Sequence, residues 1–280
     1  MIDAALPKAG TASTAGGWAP LATFFALAFG LTWGPLAIAT RGDMGQVGWG
    51  VVLLLVSAFG PGVAAVVAVL AFEGRAKFGR WIARCLRWRV GWGWALPALF
   101  LPPVLVGLAL GLNVATGGTL RAIGLDRPAL ALLVHLGLTI VAGGPLGEEF
   151  GWRGYALPAL TTRIGWRWAS VVLGAVWALW HVPLFLMPGT VQADPPMTVF
   201  AAGTVALSVI LARLSVQTGF SVLPAIVLHA SVNWTYEMLP VMPVAGDMRV
   251  YLIVNALMVL TAGVVLLLPG PPEGTQGNPR

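Results

Sequence analysis

The sequence predicts an all-α fold, a polytopic integral membrane helical bundle of about eight transmembrane helices. Three observations predict it. Only 9% of the 280 residues are charged and 58% are hydrophobic, with a mean hydropathy of +0.86, whereas a soluble domain of this length carries far more Lys, Glu and Asp. Apolar runs of about 20 residues, the length a helix needs to cross the hydrocarbon core, recur along the chain. Basic residues collect in alternate connections, the bias that sets orientation in a membrane.

Taken in order, Met1 to Gly17 is mostly small residues and lacks the basic start of a cleavable signal peptide. It is expected to be disordered, with the first span kept as an anchor. The spans read at 18–40, 49–72, 92–114, 129–147, 167–187, 197–213, 219–239 and 248–268, a transmembrane domain over 18–268. The Pro/Gly-rich tail 269–280 is expected to be disordered. With both termini in the cytoplasm, 12 of the 16 basic residues fall inside and Arg41, Arg121, Arg127 and Arg249 fall outside. The loop 73–90 has a pattern of its own. Lys77, Arg80, Arg84 and Arg87 recur at helical spacing, and Phe78, Trp81, Ile82 and Cys85 take the other face. That is a short basic amphipathic helix on the inner leaflet, read as a topological anchor ahead of a lipid- or substrate-docking surface.

Several classes are excluded. The pI near 10.4 comes from basic residues between apolar spans, which makes the bilayer the partner and not nucleic acid. Cys85 is the single cysteine, so there is neither an intrachain disulfide nor a multi-Cys metal site. Phe59-Gly60-Pro61-Gly62 lacks the Lys-Ser/Thr ending of a phosphate loop, and no internal repeat is visible.

Against this background the run Gly144-Pro-Leu-Gly-Glu148-Glu149-Phe-Gly-Trp-Arg153 stands out, because carboxylates in apolar spans are costly and mark reaction centres or ion paths. Counted from the basic residues that mark the cytoplasmic surface, Glu148, Glu149, His181 and His229 lie at similar depth, roughly 15–24 Å along their helices. Groups from three helices can then share one layer. A single helix from Ala129 to Thr162 would be about 50 Å long, too long for the bilayer core. Gly143-Gly144-Pro145 predicts a break, with a new helix starting near Pro145 and the Glu pair in or just after its first turn. Glu149 and Arg153 form an i,i+4 pair on one face, with Glu148 about 100° away. His229 and Asn233 are also i,i+4 and can offer two donors to one point, as an oxyanion site needs. His135 has no strong polar partner at helical spacing and reads as structural. Trp177 and Trp180 read as packing or interface aromatics.

The three runs Glu148-Glu149-x-x-x-Arg153, Trp177-x-x-x-His181 and His229-x-x-x-Asn233 together resemble the motifs of the CAAX protease and bacteriocin-processing (CPBP, abortive-infection) family of intramembrane metalloproteases, whose eukaryotic relative is the type II CAAX prenyl endopeptidase. The resemblance covers roughly 129–240. One departure is Trp177, where the family usually has Phe. The resemblance implies that Glu148 and His181 activate a water, His229 and Asn233 stabilise the oxyanion, and Glu149 and Arg153 support the site. It also implies a possible Zn2+ ligand set of Glu148, His181 and His229. The absence of His-Glu-x-x-His keeps a metal-free route, with Glu148 as base, open beside it. The expected function is hydrolysis of a peptide bond in a membrane-associated or prenylated-type substrate near the cytoplasmic half of the membrane. Two alternatives stand beside it: a proton-coupled transporter, and a non-proteolytic scaffold or immunity protein. The compact chain points to a bacterial inner membrane.

Overall fold

A computed structural model describes residues 17–39 and 49–270. The expected disordered ends, 1–17 and 269–280, lie almost wholly outside the described residues, as does Arg41. The described chain forms α1 (Ala19–Ala39), α2 (Trp49–Ala58), α3 (Gly60–Phe72), α4 (Arg75–Cys85), α5 (Trp92–Ala115), α6 (Ala129–Ala142), α7 (Pro145–Gly151), a π-helical turn (Trp152–Ala156), α8 (Leu157–Trp180), the single turn α9 (Val182–Phe185), α10 (Met197–Gln217), α11 (Leu223–Met238) and α12 (Arg249–Leu267). No strand occurs among the described residues.

By length and apolarity, α1, α5, the stretch Ala129–Trp180, α10 and α12 each qualify as a span, and α2 with α3, bent by 47°, makes a sixth. The stretch Ala129–Trp180 has 52 residues and would reach roughly 78 Å if straight. It is not straight. It breaks at Gly143-Gly144 and turns again at Gly165, whose φ of 73° only glycine adopts cheaply. The described residues thus give five qualifying spans, or six with the bent pair, against the eight expected from the sequence; α11, 16 residues long, falls short of the length of a span. The exposed side chains fit lipid contact: Leu130, Leu133, Val134 and Leu138 of α6 all point outward. Phe24, Trp152, Leu173 and Leu211 fill the interior instead.

Side-chain bonds to backbone carbonyls define the two ends of the bundle. At one end Arg167 donates to Leu266 and Leu268, Arg213 to Pro269, Arg87 to Thr218 and Gly219, and Arg163 to Ala159. We call this the basic end. At the other, Arg121 donates to the carbonyls of Pro240 and Met242, and Arg249 to that of Thr116.

The prolines explain where the helices break. Pro145 opens α7, where its missing N–H costs nothing. Pro158 follows the π-helical turn and cannot donate to the carbonyl four residues back. That carbonyl, Gly154 O, is taken up from outside by Trp81 Nε1 at 2.9 Å and Arg84 Nη2 at 2.7 Å. α4 is therefore docked onto the break as well as amphipathic, with Trp81 and Cys85 buried on the face that the sequence pattern predicts.

α3 and α7 approach closely through glycines. A Cβ at Gly62 would stand 2.6 Å from Gly147 O, and one at Gly151 would stand 2.5 Å from the Pro61 carbonyl. This small-residue contact is the kind by which membrane helices pack, and it fixes where the Glu pair sits.

Candidate active site

The break between α6 and α7 sets the first group. Glu148 lies in the first turn of α7, its N–H bonded to Gly144 O at 2.8 Å. Gly144 has a φ of 103°, and a Cβ there would collide with the Glu148 carboxylate. So glycine is required twice over, by backbone conformation and by space. Asn233 of α11 staples the same break, donating Nδ2 to Gly143 O at 3.0 Å.

The end of α8 sets the second group. Pro183 stops the helix just after His181, and His181 Nδ1 donates to Trp177 O at 2.8 Å. A carbonyl can only accept, so Nδ1 carries a proton and Nε2 of the neutral ring keeps its lone pair. One turn earlier, Trp177 Nε1 donates to Glu148 Oε2 at 2.6 Å.

Behind this wall lies a buried charge cluster. Glu149 and Arg153 both have side chains 0% exposed, with Arg153 Nη1 3.0 Å from Glu149 Oε1. His229 Nδ1 donates to the same oxygen at 2.8 Å. The Arg153 guanidinium sits 4.3 Å above the Trp177 ring, and the His229 ring meets Trp177 edge-on at 5.2 Å. Trp177 thus touches every charged or ionisable group of the cluster except Glu149. Glu149 Oε2, Arg153 Nε and Arg153 Nη2 have no partner among the described residues, and a buried water is the usual occupant of such a gap.

Glu148, Trp177, His181, His229 and Asn233 all line one cavity of about 1090 Å³. Glu149 and Arg153 do not reach it. The sequence-predicted residues are therefore brought together in two layers, one facing the cavity and one behind it.

One sequence reading needs correction and another gains a partner. Trp177, read as packing, is the hydrogen-bond donor to Glu148. The available signal was the indole N–H itself, which a buried Trp must spend on some acceptor. His135, read as structural because no strong polar partner stands at helical spacing, has Nε2 2.6 Å from Glu237 Oε2, which Thr139 Oγ1 also approaches at 3.2 Å. That partner lies 102 residues away in the chain, so spacing along one helix could not reveal it. Glu237 itself lines the cavity and was missed, although it follows Asn233 by one helical turn.

The geometry also tests the possible Zn2+ set. Among the described residues, no group of three or more His, Cys, Asp or Glu side chains is placed to hold a metal ion. Glu148, His181 and His229 are not such a group in this arrangement, although each histidine has its Nδ1 bonded and its Nε2 left over.

Comparisons with known proteins converge on the same segment. Residues 128–235 match the family described as Rce1-like, type II CAAX prenyl endopeptidase Rce1-like. The chain is also similar to a CAAX prenyl protease 2 of Methanococcus maripaludis, 26% identical over 161 residues, which are 52% of this chain and 57% of that relative. The match thus spans little more than half of the relative's length.

Proposed function

We propose that this chain, whose residues 128–235 match the Rce1-like family, is an intramembrane endopeptidase acting on a membrane-associated substrate. The observation that carries the reading is the Glu148 carboxylate, held at the wall of a large cavity by Trp177 with His181 and His229 beside it. A carboxylate at such cost in a membrane interior needs a function.

In this reading Glu148 takes a proton from a water, and the hydroxide attacks the scissile carbonyl carbon. His181 Nε2, an acceptor in the neutral ring, helps to orient that water. The carbonyl oxygen becomes an oxyanion facing His229 and Asn233. His229 Nδ1–H is committed to Glu149, so Nε2 can donate only when the ring is imidazolium. The Glu149 carboxylate is the group that would balance that charge. When the C–N bond breaks, the proton on Glu148 passes to the leaving amine. Arg153 and Glu149 act through His229 and Trp177 and touch no reacting atom.

The substrate is a peptide with an apolar flank, since Leu36, Leu184, Leu207 and Met258 line the cavity together with the polar groups. The matched family and relative are named for prenyl substrates, and a lipid-bearing peptide suits such walls.

The test is cleavage of membrane peptides by the purified chain in detergent or liposomes. Glu148→Gln and His229→Ala should each abolish cleavage while leaving the fold intact. Unchanged cleavage in both variants would remove the mechanism. A solute uptake signal sensitive to Glu149→Gln would instead support a transporter. Normal cellular function of Glu148→Gln would support a scaffold.

A further inference from the structure

The connection between α3 and α5 does more than join two helices. Its own helix, α4, is bonded to two elements that carry the site. Trp81 and Arg84 donate to Gly154 O in the π-helical turn, one residue after Arg153. Val222 N–H donates to Cys85 O at 2.9 Å, Ser221 Oγ to Arg87 O at 2.6 Å, and Arg87 Nη2 to Gly219 O at 2.7 Å. The last three bonds hold the entry to α11, the helix of His229 and Asn233. α4 is thus a strap across the π-helical turn and the start of α11.

The outward face of this strap carries uncompensated charge. Lys77 and Arg80, one helical turn apart, are both exposed. Arg80 has no polar partner among the described residues. Lys77 stands 4.0 Å from Glu73, and an ion pair this exposed contributes little. Large apolar side chains flank the strap in the chain and are exposed too: Phe72 at 47%, Leu86 at 48%, Trp88 at 72% and Trp92 at 80%. Arg89 lies over the Trp88 ring at 5.1 Å. Cations interleaved with exposed indoles fit a membrane interface better than an acidic protein. There Trp sits at headgroup level, and Lys and Arg meet phosphate.

We infer that the outward face of α4 is a binding site for anionic phospholipid headgroups, which press the strap onto the π-helical turn and so steady the buried Glu149–Arg153 layer behind the site. Lys77 and Arg80 are the groups that meet the headgroup phosphates. The chain of contact is short. A headgroup on Arg80 sits on the same helix face as Arg84, whose Nη2 holds Gly154 O at 2.7 Å, next in sequence to Arg153. Lifting α4 would leave Gly154 O, which Pro158 cannot serve, without either of its donors. The lipid site is independent of the hydrolase reading.

Cys85 reads the strap directly. It is buried on the docked face of α4, and desolvation pushes its thiol up to about 11, so it reacts when α4 lifts. The full-length chain is reconstituted into liposomes of phosphatidylcholine alone or of phosphatidylcholine with phosphatidylglycerol. Each is treated with an uncharged, membrane-permeant fluorogenic maleimide. The expected result is slower modification of Cys85 with phosphatidylglycerol, by roughly fivefold for each of the two cations. Lys77→Gln/Arg80→Gln should lose most of that slowing, and Lys77→Arg/Arg80→Lys should keep it. Equal wild-type rates in the two liposomes overturn the inference, and so does slowing that the Gln double variant keeps. Inorganic phosphate that slows the reaction as much in phosphatidylcholine liposomes would make the ligand a free anion and overturn the lipid site. If Cys85 is silent in both liposomes, the unfolding midpoint decides. A rise with phosphatidylglycerol that the Gln double variant lacks supports the inference; no rise, or a rise that the variant shares, overturns it. None of these outcomes bears on cleavage, which Glu148→Gln tests separately.

Discussion

The buried Glu149–Arg153 pair supports a double-mutant cycle whose outcome the geometry dictates. Both side chains are fully buried and 3.0 Å apart, and neither touches the cavity. Arg153→Met removes the cation and leaves a carboxylate in a membrane interior. Breaking a buried pair this way costs about 3–5 kcal/mol. His229, already on Glu149 Oε1, can take part of that charge as imidazolium, which puts this variant at the lower end. Glu149→Gln leaves the guanidinium over the Trp177 ring without its counter-ion, and a cation–π contact returns only about 0.5–2 kcal/mol. Glu149→Gln is therefore the worse single change. The double variant Glu149→Gln/Arg153→Met buries no uncompensated charge and should unfold near the wild-type temperature, because replacing both members of a buried pair is often neutral. The coupling energy is then on the order of 3 kcal/mol or more, a recovery on the order of 10 °C in midpoint. Cys85 supplies the assay. It is buried beside Gly154, next to the π-helical turn, so a fluorogenic maleimide in detergent reads its exposure as the site opens. The double variant should regain stability but not turnover, since His229 has lost its carboxylate. Additive losses in the double variant would mean that the two groups do not share a buried ion pair, and the supporting layer described above would fall.

Three further outcomes follow from the same contacts. Trp177→Phe keeps the ring but deletes the donor to Glu148, a charge-assisted bond of about 1.5–3 kcal/mol. Turnover on a peptide reporter should fall roughly tenfold to a hundredfold with KM little changed, and an unchanged kcat would reduce Trp177 to packing. Gly144→Ala forces a φ of 103° on a residue with a Cβ and drives that Cβ into the Glu148 carboxylate. Stability should drop by about 1–3 kcal/mol and turnover should vanish, as read by the Cys85 assay and the reporter together. Incubation with a strong zinc chelator should leave turnover unchanged, because no three-ligand group is assembled. Loss of activity that added Zn2+ restores would show that Glu148, His181 and His229 rearrange around a metal.

What the sequence revealed and what it hid divide along a physical line. Helix content, apolar spans and breaks are local. The Gly143-Gly144-Pro145 break and the amphipathic α4 were legible because backbone chemistry and 3.6-residue periodicity act within a few residues. The i,i+4 pairing of Glu149 with Arg153 was legible for the same reason. Contacts between helices were not. Nothing in the spacing ties Trp177 to Glu148, 29 residues earlier, or His135 to Glu237. Nor could Pro158 announce that its orphaned carbonyl at Gly154 would be met by Trp81 and Arg84 from a loop that reads as a surface anchor. The polar groups of the site find their partners across the bundle. His229 reaches Glu149, Asn233 reaches Gly143 and Trp177 reaches Glu148. In a low-dielectric interior none of these can be left unpaired without cost. Substituting any one of them therefore disturbs a partner on another helix, so the variants above test the arrangement of the helices as much as the chemistry of the residue replaced.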